Sequence, residues 1–434
     1  MSIHDSYIIR KARKHKDSNS TRVKAFALGF LAHAFTETQN HYIIYDRCFR
    51  MTLPGQGAGS RPADGMNVFC GEVFVAKEKK KYWFIIGILL CTVYAFIAAQ
   101  PIPVETVLAP RWLSSLETSY SAVIQNDAGG DGYFLPFLLG ERFGYIDAQG
   151  NYIINQIKKG YVSLSGDRWA EYEALSDTIE VRSPRNETIL TIPDSRGYPL
   201  FLDNKIFIIH DEQNALSLVD DTGRPRWTCD FAAPLTSIDA AADLILIGSL
   251  DGAVELLDSR GQRVFFFEPG GSRLSVILGC RISKDGSRLA IVSGIDDQRF
   301  LLLERFGDSY KVVYHEFLED GFRRAIHMAF IDNDNRIAFE REGGLGIYEI
   351  NSRRSIKLSL RGSISAIEES GSGELFFIIS SQGGDRKNLV AIRLPGSVIM
   401  EAPFKSKEVL LSRYGSELYI GGDTTLASFM LDKR

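Results

Sequence analysis

The sequence predicts an all-β chain, a β-propeller of seven or eight four-stranded blades with eight preferred, preceded by a single N-terminal transmembrane helix. Three features carry that expectation. Beyond Trp112, short β-rich runs alternate with Asp-Gly, Ser-Gly and Gly-Gly turns, the pattern of an all-β sandwich, barrel or propeller. Similar units recur there roughly every 36 to 45 residues, the spacing of propeller blades. Upstream, the run YWFIIGILLCTVYAFIAA from Tyr82 to Ala99 holds eighteen residues without a charge.

Residues 1–81 are basic and show no sustained periodicity, so a disordered cytoplasmic segment is expected, with 1–65 either its tail or an over-extended start ahead of Met66. A run around Val23 to Phe35 offers an amphipathic helix, but its apolar residues nearly surround the axis, which suits neither a membrane surface nor a docking groove. Residues 1–112 hold 15 Lys and Arg against 8 Asp and Glu, which leaves 35 against 46 in residues 113–434, a switch from +7 to −11. Basic before an apolar span and acidic after it is the positive-inside arrangement. An acidic propeller also lacks the clustered cations that nucleic-acid phosphates require, so no nucleic-acid partner is expected.

The span itself, residues 82–99, would extend about 27 Å as a helix, just enough for a hydrocarbon core. Its anchoring side chains are Tyr82, Trp83, Phe84, Ile85, Ile86, Leu89, Leu90, Phe96 and Ile97. Lys77, Lys79, Lys80 and Lys81 stand before it and set the topology, with the N-terminus cytoplasmic and the propeller extracytoplasmic or periplasmic. A buried core helix is disfavoured by the uncharged length beside a lysine cluster. A cleaved signal peptide is the competitor, because Ile97-Ala98-Ala99 ends in small residues; bulky Tyr94 and Phe96 near the end speak for an uncleaved anchor. A lipoprotein reading through Cys91 fails on Leu90, where such signals place a small residue. Residues 100–118 read as a linker and 119–434 as the propeller.

Eight units begin at Asp131, Ser165, Asn204, Ala242, Cys280, Ala329, Gly371 and Tyr414. Each holds an apolar strand, a turn bearing Gly or Asp, and further strands. One blade cannot bury its own faces, whereas a ring of blades stacks sheet on sheet and closes. The last unit stops at Arg434 before a fourth strand, which is expected from upstream of Asp131, around Tyr120 to Gln125.

Ala215-Leu-Ser-Leu-Val-Asp-Asp-Thr-Gly-Arg-Pro-Arg-Trp227 and Ala253-Val-Glu-Leu-Leu-Asp-Ser-Arg-Gly-Gln-Arg-Val-Phe265 resemble the PQQ-like blade signature, in which a strand ends in Asp, a Gly turn follows and an aromatic opens the next strand. Only Trp227 matches the tryptophan of that signature. The stretch from Ile282 to Ile291 resembles the turn of a WD40-type blade, and the stretch from Arg142 to Asn151 is similar to a WG-type β repeat. The resemblance to this PQQ-like and WD40-type (YVTN-like) propeller superfamily covers roughly 119–434 and implies the fold, with roles such as assembly of envelope machinery by analogy.

Catalytic chemistry is not legible. PQQ-dependent dehydrogenases carry vicinal cysteines and a calcium site, whereas Cys48, Cys70, Cys91, Cys229 and Cys280 are all isolated; no cofactor is expected. His210, His315 and His327 fall on different blades and read as strand or loop residues. Asp332, Asp334 and Asn335, and Asn126, Asp127 and Asp131, suit calcium only superficially, since turns use such residues for their own backbone bonds and no Glu completes a twelve-residue loop. Phe265, Phe266 and Phe267 are expected to split between the two faces of a strand, with a surface aromatic marking a protein-binding edge as the alternative to core. Asn186-Glu187-Thr188 fits a glycosylation acceptor.

The expectation is thus a non-enzymatic scaffold on the extracytoplasmic side of the cytoplasmic membrane, binding another envelope protein. A ligand-sensing propeller that signals across the membrane is the alternative. An enzyme with a central-channel site is a third.

Overall fold

The structure, a computed structural model, describes residues 82–94, 106–117 and 134–433, apart from 174–175, 194, 320 and 369–372. The chain divides into two units, Met1–Pro101 and Ile102–Arg434. In the first, a helix covers residues 82–94, and Tyr82, Trp83, Phe84, Ile85, Ile86, Leu89 and Leu90 on it are exposed. Thirteen residues make a helix about 20 Å long, short of the roughly 30 Å of a hydrocarbon core. Among the described residues no helix is long and apolar enough to cross a membrane. The rest of the expected span, with Phe96 and Ile97, and the lysines Lys77, Lys79, Lys80 and Lys81 lie outside the described residues.

The second unit is built of strands, which among the described residues form eight sheets. Blade 1 contains Leu135–Leu139, Arg142–Ile146 and Tyr152–Ile157. Blade 2 follows with Tyr161–Leu164, Trp169–Tyr172, Thr178–Arg182 and Thr188–Pro193. Gly197–Leu202, Lys205–His210, Ala215–Val219 and Pro225–Asp230 make blade 3. Blade 4 is Leu235–Ala241, Leu244–Ser249, Val254–Asp258 and Arg263–Phe267. In blade 5 the strands are Ile277–Ile282, Arg288–Ser293, Arg299–Phe306 and Ser309–Phe317. Met328–Ile331, Arg336–Arg341, Gly344–Glu349 and Arg354–Ser359 form blade 6. Blade 7 takes Ser363–Ile367, Leu375–Ser381, Arg386–Arg393 and Ser397–Lys405. Blade 8 joins Val409–Tyr414, Glu417–Gly422 and Thr425–Lys433 to an outer strand from far upstream, Thr106–Ser115.

Each blade is a meander, so turns between first and second and between third and fourth strands share one face, here the lower. Turns between second and third strands, and the blade-to-blade links, share the upper face. Middle strands are buried on both sides and read as continuous apolar runs, as in Ala215–Val219, where all five residues are buried. Outer strands alternate between exposed and half-buried residues, as in Pro225–Asp230.

The three strands of blade 1 hold the second, third and fourth positions. Lys158 N donates to Glu141 O, the bond that runs from the end of the outer strand to the start of the third in Phe231 N to Asn214 O and Leu360 N to Gly343 O. The fourth strand of the last blade, expected around Tyr120 to Gln125, is instead Thr106–Ser115, farther upstream; residues 120–125 themselves lie outside the described residues.

The closing strand corrects the expected linker. Thr106 pairs with Lys433 and Ser115 with Thr425, the register slipping between Pro110 and Trp112. Pro110 discourages a strand reading, but a strand at the outer edge leaves one row of amides unpaired and tolerates proline there.

The lower turns explain the Asp-Gly signature. Asp147, Asp220 and Asp258 each end a third strand, and each side chain accepts backbone amides two and four residues on: Gln149 N and Asn151 N, Thr222 N and Arg224 N, Arg260 N and Gln262 N. The glycine that follows sits at positive φ, +89° at Gly150 and +76° at Gly261. Trp112 covers Gly150 and Trp227 covers Gly261 so closely that an added Cβ would stand 2.7 Å from either ring. Trp112 Nε1 donates to Ala148 O at 3.0 Å and Trp227 Nε1 to Ser259 O at 3.1 Å. Trp112 therefore performs at the closing seam what Trp227 performs between blades 3 and 4.

Trp112 is half-buried, so replacing it with alanine is expected to cost about 2 to 3 kcal/mol through lost packing and the lost Nε1 bond. Leu113→Ala on the same strand, 75% exposed, is expected to stay within about 0.5 kcal/mol. Urea denaturation of both variants checks the contrast.

Candidate functional site

Blades 4 and 5 carry three exposed phenylalanines. Cross-strand register sets Phe265 opposite Leu256 and Phe266 opposite Glu255. Alternation then turns Phe265 and Phe267 inward, where Phe265 meets Tyr310 with ring centroids 5.2 Å apart, and turns Phe266 outward, 46% exposed. The expected split of the Phe265 to Phe267 run thus occurs, and its middle member is the surface aromatic. Phe306, at the end of the third strand of blade 5, and Phe317, at the far end of its outer strand, are also exposed, and so are Val264, Val312, Leu250 and Leu274 in blades 4 and 5 and their link.

A cation covers each exposed phenylalanine. Arg263 stands 5.3 Å from the Phe266 ring, Arg299 5.5 Å from Phe317 and Lys311 5.6 Å from Phe306. Arg263 also pairs with Glu255 at 3.3 Å. Such contacts hold the rings in place and keep them soluble while leaving their edges open.

Several buried or closely bonded groups depart from their ordinary ionisation. Burial pushes the Cys280 thiol up to about 12, and its Sγ lies 3.7 Å from Ser237 O. Cys229 is half-buried with Sγ 3.3 Å from Gly261 O, and neither thiol is in a disulfide. Burial also raises Glu368, with Arg413, 3.1 Å away, opposing it. Asp285 is held down to about 2, first by the Ser283 hydroxyl at 2.6 Å and then by the Ser287 amide at 3.0 Å.

The remaining expected sites resolve individually. His210 Nε2 is 2.7 Å from Ser217 Oγ, His315 lies edge-on to Phe317, and His327 offers its backbone amide to Glu340. Asp332 pairs with Arg336 and its carbonyl accepts Asn335 N, closing the turn, while Asp334 Oδ2 accepts Lys284 N at 2.8 Å and ties that turn to blade 5. Asn126, Asp127 and Asp131 lie outside the described residues. Among the described residues no group of three or more His, Cys, Asp or Glu is placed to hold a metal. Asn186 is exposed at φ +66° in the outer turn of blade 2.

Sequence reasoning missed Trp112, which stands thirty-six residues from the Ala148 carbonyl it bonds. The cations over the phenylalanines were equally hidden, since Arg299 and Phe317 meet only through strand pairing.

A family profile described as a beta-propeller protein matches residues 67–433. An uncharacterized protein of Treponema pallidum (strain Nichols) is 25% identical over 356 residues, covering 81% of this chain and 94% of the relative. Among solved structures, BamB from Moraxella catarrhalis aligns with a TM-score of 0.52 at 14% identity, covering 75% of this chain and 100% of its own. The computationally designed Ika8 protein aligns at 0.53 and 13% identity, over 70% and 98%. Likenesses at such identities concern the fold.

The lowered Asp285 has a pH consequence. Its carboxylate contributes stability above the ordinary 3.8, and that contribution is lost as pH falls through about 2. Denaturation midpoints measured from about pH 5 to pH 2 are expected to fall less steeply in Asp285→Asn than in the parent protein.

Proposed function

The chain belongs to the beta-propeller protein family, and on that premise we propose that it is a non-enzymatic scaffold that holds another protein against the outer wall of blades 4 and 5. The observation that carries this reading is the set of exposed phenylalanines Phe266, Phe306 and Phe317, each capped by a cation. Aromatic and arginine side chains dominate the energetics of protein interfaces, because they bury large rigid surfaces at small entropic cost. Glu255 and the exposed strand edges around the rings supply a polar rim.

The same proposal places the scaffold at the cytoplasmic membrane. The apolar run Tyr82 to Ala99 is the anchor, Lys77 to Lys81 keep the N-terminus cytoplasmic, and the acidic propeller faces outward. The charge switch from +7 to −11 supports that orientation. The partner would then be another envelope protein.

Photo-crosslinking side chains introduced at Phe266 and Phe317 in intact cells are expected to capture one discrete partner, and one at the exposed Leu113 of blade 8 is not. Phe266→Asp and Phe317→Asp, combined with crosslinkers at neighbouring positions, should lower the yield at least about thirtyfold, the size of a hot-spot loss. Equal capture at all three positions would overturn the docking surface.

A protease site placed in the exposed upper turn at Gly383-Gly384, where a side chain added at either glycine would meet no atom within 4 Å, tests sidedness. Protease outside the cytoplasmic membrane is expected to cut there. Cleavage only after membrane permeabilisation would refute the outward orientation.

A further inference from the structure

The outer strands of blades 4 and 5 lie side by side, and alternation decides what each presents to the cleft between them. Phe265 and Phe267 of blade 4 share a face, their rings 6.2 Å apart, and both pack on the cluster that holds Leu301, Leu303 and Tyr310 of blade 5. Within blade 5, His315 stands opposite Leu301, Val312 opposite Leu303 and Phe317 opposite Arg299. Opposed residues share a face of a sheet, as do residues two apart on one strand. Arg299, Val312, His315 and Phe317 therefore turn toward blade 4 with those leucines. Burial is incomplete at the outer side, where Phe267 is half-buried, Val312 is 40% exposed and Phe317 57%.

Arg299 stands at the upper end of this cleft, half-buried, and its position is prepared. Its Cζ lies 5.5 Å from the centre of the Phe317 ring. The link from blade 4 passes it at Gly271, φ +99°, where an added Cβ would stand 2.9 Å from the same Cζ, so glycine is what makes room for the guanidinium. What Arg299 lacks is an anion. Among the described residues it forms no ion pair and no hydrogen bond, and its interaction is with the Phe317 ring. The carboxylates of these strands hold the alternate positions and are engaged elsewhere. Glu255 stands opposite Phe266 and pairs with Arg263, Glu304 pairs with Arg288, and Glu316 accepts the Tyr314 hydroxyl at 2.6 Å. Glu268, Asp296 and Asp297 on the adjoining upper segments form no ion pair with Arg299 either. A half-buried guanidinium is thus left with an unbalanced charge, and a carboxylate is the group that its planar fork accepts best.

We propose that the upper end of the cleft between blades 4 and 5 receives an acidic side chain of the docked protein, one that stands beside an aromatic residue in its sequence. The inference rests on the scaffold reading and names the chemistry of the partner at that surface. The carboxylate pairs with the Arg299 guanidinium, and the neighbouring ring covers the apolar surface of Phe267, Val312 and Phe317. A cationic segment would find no free carboxylate on this face. A purely apolar one would cover the guanidinium and leave it buried without a counter-charge, which is unfavourable relative to leaving it in water. Contact with Phe317 and Gly271 already restricts the Arg299 side chain, which keeps the ordering cost of the pair low.

Calorimetric titration of the full-length protein tests it with three probes: acetyl-Phe-Glu-amide, acetyl-Phe-Gln-amide and acetyl-Phe-Lys-amide. The glutamate peptide is expected to bind at about 1 mM or tighter. The glutamine peptide, which keeps the size and loses the charge, is expected to bind about tenfold more weakly, and the lysine peptide more weakly still. In Arg299→Gln the glutamate and glutamine peptides are expected to bind alike. In Arg299→Lys the preference is expected to shrink to about threefold, because an ammonium keeps the charge without the fork. Phe317→Ala should weaken both peptides by a similar factor. Lys357→Gln, on an exposed position of the outer strand of blade 6, should leave the preference unchanged, which separates a local pair from the general field. Equal affinity for the glutamate and glutamine peptides in the parent protein overturns the proposal. So does failure of the glutamate peptide to bind at about 10 mM, or a glutamate preference retained in Arg299→Gln at unchanged melting temperature. The crosslinking at Phe266 and Phe317 scores the scaffold reading separately. Discrete capture without a glutamate preference keeps the docking surface and removes its acidic partner, whereas a glutamate preference without capture keeps the chemistry of the cleft and removes the scaffold.

Discussion

A propeller blade buries nothing unless it has a neighbour on each side, and that requirement organises the whole second unit. Every interface between blades combines an apolar layer with a few directed bonds. Phe300 of blade 5 stacks on Phe339 of blade 6 with centroids 4.3 Å apart, which sets the distance between those sheets. Side-chain acceptors then fix the blades along the channel axis. Asp239 Oδ2 accepts Ile282 N at 2.9 Å across blades 4 and 5, Glu340 Oε1 accepts Ile364 N at 3.0 Å across blades 6 and 7, and Glu408 Oε2 accepts Gly140 N at 2.7 Å across blades 8 and 1. A buried carboxylate is costly unless several donors meet it. Glu340, fully buried, therefore also takes Arg324 on both oxygens at 2.7 and 2.9 Å.

Ring closure depends on the most distant pairing in the chain. Because Thr106–Ser115 supplies the outer strand of blade 8, the last blade cannot be completed until both ends of the domain have met. Leu116 N then donates to Thr424 O at 2.8 Å, and Asn155 Nδ2 of blade 1 donates to Leu116 O at 3.0 Å. The Trp112 indole lies over Gly150 in the same seam. One short segment thus completes a sheet, joins two blades and carries the chain into the domain. Outer strands elsewhere make no such demand, and blades 4 and 5 carry phenylalanines that only a cation of the same blade covers.

Much of this was legible. Period-2 runs, turns at Asp-Gly and the unit spacing announced seven or eight blades, because a strand buried on both faces must be apolar throughout and a tight turn at positive φ favours glycine, asparagine or aspartate. The Asp147, Asp220 and Asp258 turns could be read residue by residue, since each is closed by bonds spanning four residues. The Phe265 to Phe267 run could be divided between faces by alternation, but which face was solvent could not. That depends on the neighbouring blade, in which Tyr310 stands forty-five positions from Phe265.

The sequence by itself determined the fold class and the local turn chemistry, both of which follow from interactions within one blade length, and narrowed the blade count to seven or eight. It also set the apolar run at Tyr82 to Ala99 and the change of charge around it. Tertiary structure alone decided that residues 106–115 are a strand and not a linker, that Trp112 repeats the role of Trp227, and that Arg299 meets both Gly271 and Phe317. The reason is range: alternation and turn signals report on residues within a few positions, whereas ring closure and inter-blade sites join residues that only the completed circle brings together.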